Sequence, residues 1–246
     1  MKIAFLGTNG WYSTVSGNTS CALIDSEKYY VVLDAGDGIY KLDRYVKTEK
    51  PIILLLSHLH FDHIVGFHAL SRFRFSQGVS IYGYKGTREG LAIIRHPYAA
   101  PFSELPIKVK IHDLNEGRHN LPFPITCKLL VHTGPCLGYR VELDSKVVAY
   151  CTDTSLCNNA YELAKNADLL ITECSSKPGQ DEWRWPHLKP EEAADIARKA
   201  NVGRLILTHF DADSYRTIED RKRAEATAKE IFKETIGAYD GLEVEF

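Results

Sequence analysis

Residues 51–63, "PIILLLSHLHFDH", join the greasiest run of the chain to three histidines and an aspartate. An unbroken apolar run of this kind reads as a strand covered on both faces. The ionisable side chains follow at once, where that strand must end. In the pattern H-x-H-x-D-H, His58 and His60 alternate, so at a strand end both can face one side. Asp62 and His63 then come from the turn. This spacing offers two imidazoles to one ion, and a carboxylate with an imidazole to a second. Such nitrogen and oxygen sets suit Zn²⁺, with Mn²⁺ or Fe²⁺ as alternatives.

Three more candidate ligands close apolar runs further on. His132 ends "CKLLVHT", Asp153 ends "KVVAYCTD" and His209 ends "RLILTHF". With the first cluster they make seven, the number two ions need while leaving room for water.

Outside these runs, "KIAFLGT" reads as a strand and "SCALIDSEKYYVVLDAG" as a hairpin. "GIYKLDRYVKT" and "HIVGFHALSRF" fit helices, and "VSIYGY" fits a strand. Gly86 to Pro124 is rich in proline and predicts one helix, near "TREGLAIIR", and a surface loop. "LGYRVEL" is a further strand, "NNAYELAKN" a helix and "ADLLITECS" a strand. "KPEEAADIARKAN" is a helix that Pro190 opens, and "TIEDRKRAEATAKEIFKETI" is a long amphipathic helix. The chain also echoes itself. "YVVLDAGDG", helix, "IILLLSH" resembles "VVAYCTDTS", helix, "DLLITECS". Two such halves predict an α/β fold of two mixed sheets with helices outside, and a site where the strand ends converge. No Gly-, Ser- or Pro-rich linker divides residues 1–246, which are expected to form a single domain.

The formal charge of −2 over 246 residues does not suit a dedicated nucleic-acid binder. No apolar run approaches the roughly 18–20 residues of a membrane span. The start, "MKIAFLGTNG", holds no secretory h-region, and the six scattered cysteines form no C-x-x-C. These features predict a cytoplasmic protein with reduced thiols.

The H-x-H-x-D-H motif and the later His, Asp and His, in that order, resemble the metallo-β-lactamase superfamily over nearly the whole chain. The resemblance implies an αββα sandwich with the site at one edge of the two sheets. It implies that His58, His60 and His132 hold one metal, that Asp62, His63 and His209 hold the other, and that Asp153 bridges them. Water shared by two divalent ions is acidified toward a pKa of about 7, and Asp62 can orient it. The redox branch of the superfamily typically has Glu where His60 stands here, so hydrolysis is expected.

"HTGPCLGYRVELDSKVVAYCTDTS", "LLITECSS" and "HLKPEEAADIARKANVGRLILTHF" look like the ribonuclease Z branch. There a His about twenty residues before the last metal His protonates the leaving group. His187, 22 positions before His209, maps onto it. Glu173 either orients His187 or simply ends a strand. The chain departs from the tRNA-processing enzymes in several ways. It has no long Gly/Pro-rich arm. Its early loop reads "WYSTVSGNTS", and Leu188 and Lys189 stand where that branch has small hydroxyl residues. A small or cyclic phosphodiester is therefore expected in preference to tRNA, although an RNA 3′ end stays possible. The branch is often dimeric, so a homodimer is among the implications. The alternatives are hydrolysis of a lactone, thioester or β-lactam at the same centre, or a non-catalytic nucleic-acid or ligand-binding module. Arg72, Arg74, Lys85, Arg88 and Arg95, interleaved with aromatics, make either a phosphate-binding surface or an ordinary solvated face.

Overall fold

The computed structural model describes residues 1–97, 99–180 and 185–246. Two seven-stranded mixed sheets face one another. Edge to edge, the first runs Glu243–Glu245, Lys2–Gly7, Cys21–Asp25, Tyr30–Leu33, Ile52–Leu55, Val79–Tyr84, Val109–Leu114. The second runs Thr235–Gly237, Arg204–Thr208, Leu169–Glu173, Lys146–Cys151, Cys136–Leu143, Pro124–Leu130, Gly117–Asn120. Each sheet has an antiparallel part and a parallel part. Tyr30–Leu33 pairs in parallel with Ile52–Leu55, as Lys146–Cys151 does with Leu169–Glu173. The internal echo is thus a real structural repeat.

Ile3, Phe5, Val31, Leu33, Ile53 and Leu55 from one sheet meet Ile125, Tyr139, Val141, Leu169, Ile171 and Ile206 from the other. The opposite faces of the two sheets are covered by helical segments. One side buries Ile39, Leu42, Phe67 and Leu70; the other buries Leu163, Ala194, Ile196, Ala197, Ala224 and Ala228. This is the αββα sandwich, and it explains why Ile52–Leu55 is apolar throughout and Leu169–Glu173 is apolar up to its last two residues: both faces of these strands are buried.

Four details differ from expectation. Residues Asp37–Arg44 form a 3₁₀ helix rather than an α-helix. Its start is fastened to the preceding loop: Asp37 N–H donates to Thr19 Oγ1 at 2.7 Å, and Gly38 N–H donates to the Thr19 carbonyl at 3.2 Å. These anchors, not the i→i+4 pattern, set the pitch. The expected helix after His63 is one α-turn, Phe61–Ile64, continued as the 3₁₀ segment Val65–Arg72. There Gly66 N–H bonds the Ala35 carbonyl instead of its own helix. The proline-rich region holds two strands, Val109–Leu114 and Gly117–Asn120, each at a sheet edge. The long helix stops at Ile231. Phe232 is already extended, and Thr235–Gly237 joins the sheet beside Arg204–Thr208.

No helix among the described residues is long and apolar enough to cross a membrane. The described cysteines are all free thiols.

Candidate metal centre

Three strands finish on a residue with left-handed backbone. Asp34 (φ 59°) follows Tyr30–Leu33, Asp153 (φ 47°) closes the Lys146–Cys151 run and His209 (φ 50°) follows Arg204–Thr208. Such residues lie in a region that non-glycine side chains adopt at a cost of about 1–3 kcal/mol. The sharp turn ends the ladder and leaves the side chain at the sheet's rim. Ser57 and His58 follow Ile52–Leu55, and His132 follows Pro124–Leu130. All seven sequence-derived candidates converge there.

One donor atom each from His58, His60 and His132 lies within 4.8 Å of the others, and the same holds for Asp62, His63 and His209. Asp153 lies between the two sets. Its Oδ2 is 3.1 Å from His63 Nε2 and 3.3 Å from His209 Nε2, while Oδ1 is 3.8 Å from His132 Nε2. His60 Nδ1 and His132 Nε2 are 3.1 Å apart, as are His63 Nε2 and His209 Nε2.

The surrounding hydrogen bonds fix where the protons sit. The Asp34 carboxylate, fully buried, can only accept. Its Oδ2 therefore accepts hydrogen bonds from His63 Nδ1 at 2.7 Å, Tyr150 OH at 2.7 Å and Ser57 Oγ at 2.8 Å; Oδ1 accepts from the Ser57 N–H at 2.7 Å. With its own hydrogen on Asp34, Ser57 Oγ accepts from His58 Nδ1 at 3.0 Å. Ser175 Oγ likewise gives its hydrogen to the His209 carbonyl at 2.7 Å and accepts from His209 Nδ1 at 3.0 Å. In the neutral ring, His58, His63 and His209 thus each present the Nε2 lone pair. Sequence reasoning missed Asp34, Ser57 and Ser175, although Asp34 ends its strand in the echo as Asp153 does.

The donor set fits divalent cations. His58 Nε2 is buried without a hydrogen-bond partner. A buried polar atom left so costs about 1–3 kcal/mol unless something binds it. Burial pushes the pKa of His58 well below that of an ordinary imidazole, and those of His60 and His132 down as well, leaving neutral electron-pair donors. In the other half, burial opposes the charges. Even so, the His63 and His209 rings hold the Asp62 and Asp153 carboxyls below their usual range, while those carboxylates, with Asp34 also beside His63, raise both histidines. That half draws positive charge.

Glu173 and His187 are also brought to the centre. Glu173, the last residue of its strand, is fully buried. Its Oε1 accepts from Thr154 N–H at 2.7 Å and from His187 Nδ1 at 2.7 Å, and Ser175 N–H reaches Oε2 at 3.2 Å. The carboxylate fixes the His187 tautomer. Burial pushes the His187 pKa down, but the Glu173 charge and hydrogen bond raise it to about 9. One ring nitrogen of His187 lies within 4.8 Å of donor atoms of His132 and Asp153.

Behind the centre, residues Asn9–Gly10 pair with Phe210–Asp211. A Cβ on Gly10 would lie 2.5 Å from His209 Cε1, so glycine is the side chain that leaves that ring in place. Trp11 N–H donates to Asp62 Oδ2 at 2.8 Å. The arginines of residues 71–96 serve their own chain. Arg72 pairs with Asp43, Arg74 with the Ser71 and Phe73 carbonyls, Arg88 with the Ile111 carbonyl, and buried Arg95 with the Ala100 carbonyl.

Similarity to known proteins agrees with this geometry. A sequence profile of the Beta-lactamase superfamily domain matches residues 29–210. The probable metallo-hydrolase YhfI of Bacillus subtilis is 32% identical, over 85% of this chain and 87% of that protein. Ribonuclease Z of Bacillus velezensis is 26% identical, over 99% and 98%. The crystal structure of YhfI superposes with a TM-score of 0.84 at 28% identity, covering 100% of this chain and 98% of that one. The short form of human tRNase Z shares the fold, with a TM-score of 0.76 at 21% identity over 100% and 99%. The convergent strand ends and these similarities lead to one conclusion: the chain belongs to the beta-lactamase superfamily and is a metal-dependent hydrolase.

Proposed function

We propose that residues 1–246 form one domain working as a dinuclear phosphodiesterase. In this reading His58, His60 and His132 hold one ion, Asp62, His63 and His209 hold the other, and Asp153 bridges them. The substrate is a small or cyclic phosphodiester or an RNA 3′ end. The nitrogen-rich donor set favours zinc, with manganese or iron as alternatives. Divalent ions bound there supply an acidified water and neutralise charge that develops on the phosphate.

The observation that carries the phosphodiesterase assignment is the Glu173–His187 pair at the edge of the centre. Glu173 anchors Nδ1, which leaves Nε2 to carry a proton to the departing oxygen. Asp62, whose Oδ2 is held by the Trp11 N–H, orients the attacking water. Relatives named ribonuclease and a structural neighbour described as a diphosphatase support phosphorus rather than a carbonyl as the reacting centre. The free, mostly buried thiols support a cytoplasmic location.

The test is a substrate panel on zinc-loaded protein: bis(p-nitrophenyl) phosphate, a γ-lactone and a chromogenic β-lactam. Hydrolysis of the phosphodiester is expected, and His187→Ala should weaken cleavage of a 2′,3′-cyclic nucleotide, whose alkoxide leaving group needs the proton that p-nitrophenolate does not. Turnover of the lactone or β-lactam alone rejects the assignment.

A further inference from the structure

We propose that Trp11 and Tyr12 form a stacking platform beside the metal centre for a flat aromatic ring, specifically a nucleobase carried by the substrate. That the base is joined to a scissile phosphodiester rests on the function proposed above; the platform itself does not.

The main chain of Trp11 is fixed to the centre by its N–H bond to Asp62 Oδ2 at 2.8 Å. Its side chain is 63% exposed. Trp11 also holds a left-handed backbone, φ 71°, which is costly for a bulky residue. Its neighbours keep it so. Gly10 is paired with Asp211, Tyr12 N–H bonds the Gly10 carbonyl at 3.0 Å, and Asn9 Nδ2 donates to the Tyr12 carbonyl at 3.0 Å. The Tyr12 ring meets the indole edge-on, with centroids 5.2 Å apart and planes at 71°. Tyr12 OH is itself held by Asp213 Oδ1 at 2.8 Å. The indole is thus braced by a second ring while still facing solvent.

Packing does not account for this. Trp11 and Tyr12 lie outside every core cluster of the described residues. Strained backbone that displays an exposed indole next to a candidate ligand is an arrangement found at functional sites. Exposed aromatics also neighbour other site residues in sequence: Phe61, beside Asp62, is 72% exposed, and Trp185, two residues before His187, is 46% exposed. The charge pattern selects the ligand. Four of the five basic side chains of the 71–96 stretch are bound to their own chain, which weakens that stretch as a track for a long polyanion. A small nucleotide gripped through its base needs none, because stacking on an aromatic side chain is itself a substantial contribution.

The test compares adenosine 5′-monophosphate with ribose 5-phosphate, which differ by the base alone, in calorimetric titrations of the zinc-loaded protein. The nucleotide is expected to bind about tenfold more tightly. Trp11→Ala, and Trp11→Gly, which suits the positive φ and so preserves the loop, should bring the ratio near one without weakening ribose 5-phosphate. Equal affinities in the wild type, or an unchanged ratio in both variants, overturn the proposal. Rates on thymidine 5′-p-nitrophenyl phosphate and methyl p-nitrophenyl phosphate separate it from the function above. If neither ester is cleaved but the binding ratio holds, the phosphodiesterase assignment fails and the platform stands. If both are cleaved and Trp11→Ala leaves their rate ratio unchanged, the platform fails and the phosphodiesterase stands.

Discussion

Replacing Asp34 with Asn perturbs the centre without touching any proposed ligand. Asp34 accepts four hydrogen bonds, three on Oδ2 from His63, Tyr150 and Ser57 Oγ, and one on Oδ1 from the Ser57 N–H. An amide retains one accepting oxygen. Its cheaper orientation keeps that oxygen at the Oδ2 position and turns NH₂ against the Ser57 N–H. One bond is lost and two buried donors, the Ser57 N–H and the new amide, face each other unpaired, at a cost of about 1–3 kcal/mol. For a chain of this size that is a fall in Tm of roughly 2–12 °C. The second consequence is electrostatic. The amide oxygen still accepts from His63 Nδ1 and Ser57 Oγ, but without the negative charge that strengthens both bonds. Loss of such an outer partner typically lowers metal affinity by about 10–100-fold. Competition with a chromogenic chelator reads that change, and Tyr150→Phe is the control, since it removes one donor and leaves the carboxylate in place. Wild-type zinc affinity in Asp34→Asn, with the fold intact, would refute the reasoning.

Four other outcomes follow from the same geometry. His187→Ala should lower turnover of the cyclic nucleotide by about 10²–10⁴-fold while elemental analysis finds the metal content unchanged; unaltered turnover removes His187 from the mechanism. Glu173→Gln keeps the shape but loses the charge that fixes the His187 tautomer, so kcat should fall more than KM rises. Gly10→Ala sets a methyl group 2.5 Å from His209 Cε1, and equilibrium dialysis should find one ion weakened, the one assigned to His209. Stripping metal with a chelator should lower Tm, because ions that bind only the folded chain stabilise it by mass action. An unshifted melting curve would mean that the donors hold nothing.

The layered architecture was legible because its strands are buried on both faces and end in polar residues. "IILLLSH" and "DLLITECS" carry that signature, and the echo between them is the parallel repeat of the two sheets. The convergence of His58, His132, Asp153 and His209 followed from the same logic, since each sits where an apolar run stops. What escaped depended on distant partners. Asp37–Arg44 has helical composition, but its pitch is set by Thr19. Val109–Leu114 lies at an edge among prolines, where its pairing with Val79–Tyr84 outweighs a weak pattern. "KETI" continues a helical run in sequence, yet its β-branched end joins an open sheet edge. Asp34, Ser57 and Ser175 act through imidazoles that only the folded chain brings to them. Trp11, the first residue of the early loop "WYSTVSGNTS", showed no tie to the site in sequence, because its neighbour Gly10 is placed only by pairing with Asp211.

Seven side chains are proposed to hold a pair of cations, and counting those cations is the most direct test. Protein expressed in metal-replete medium, desalted and measured by inductively coupled plasma mass spectrometry should carry about two equivalents of divalent transition metal per chain, falling toward one in His209→Ala. Folded wild-type protein with less than one equivalent, or a content indifferent to that substitution, would contradict the proposal.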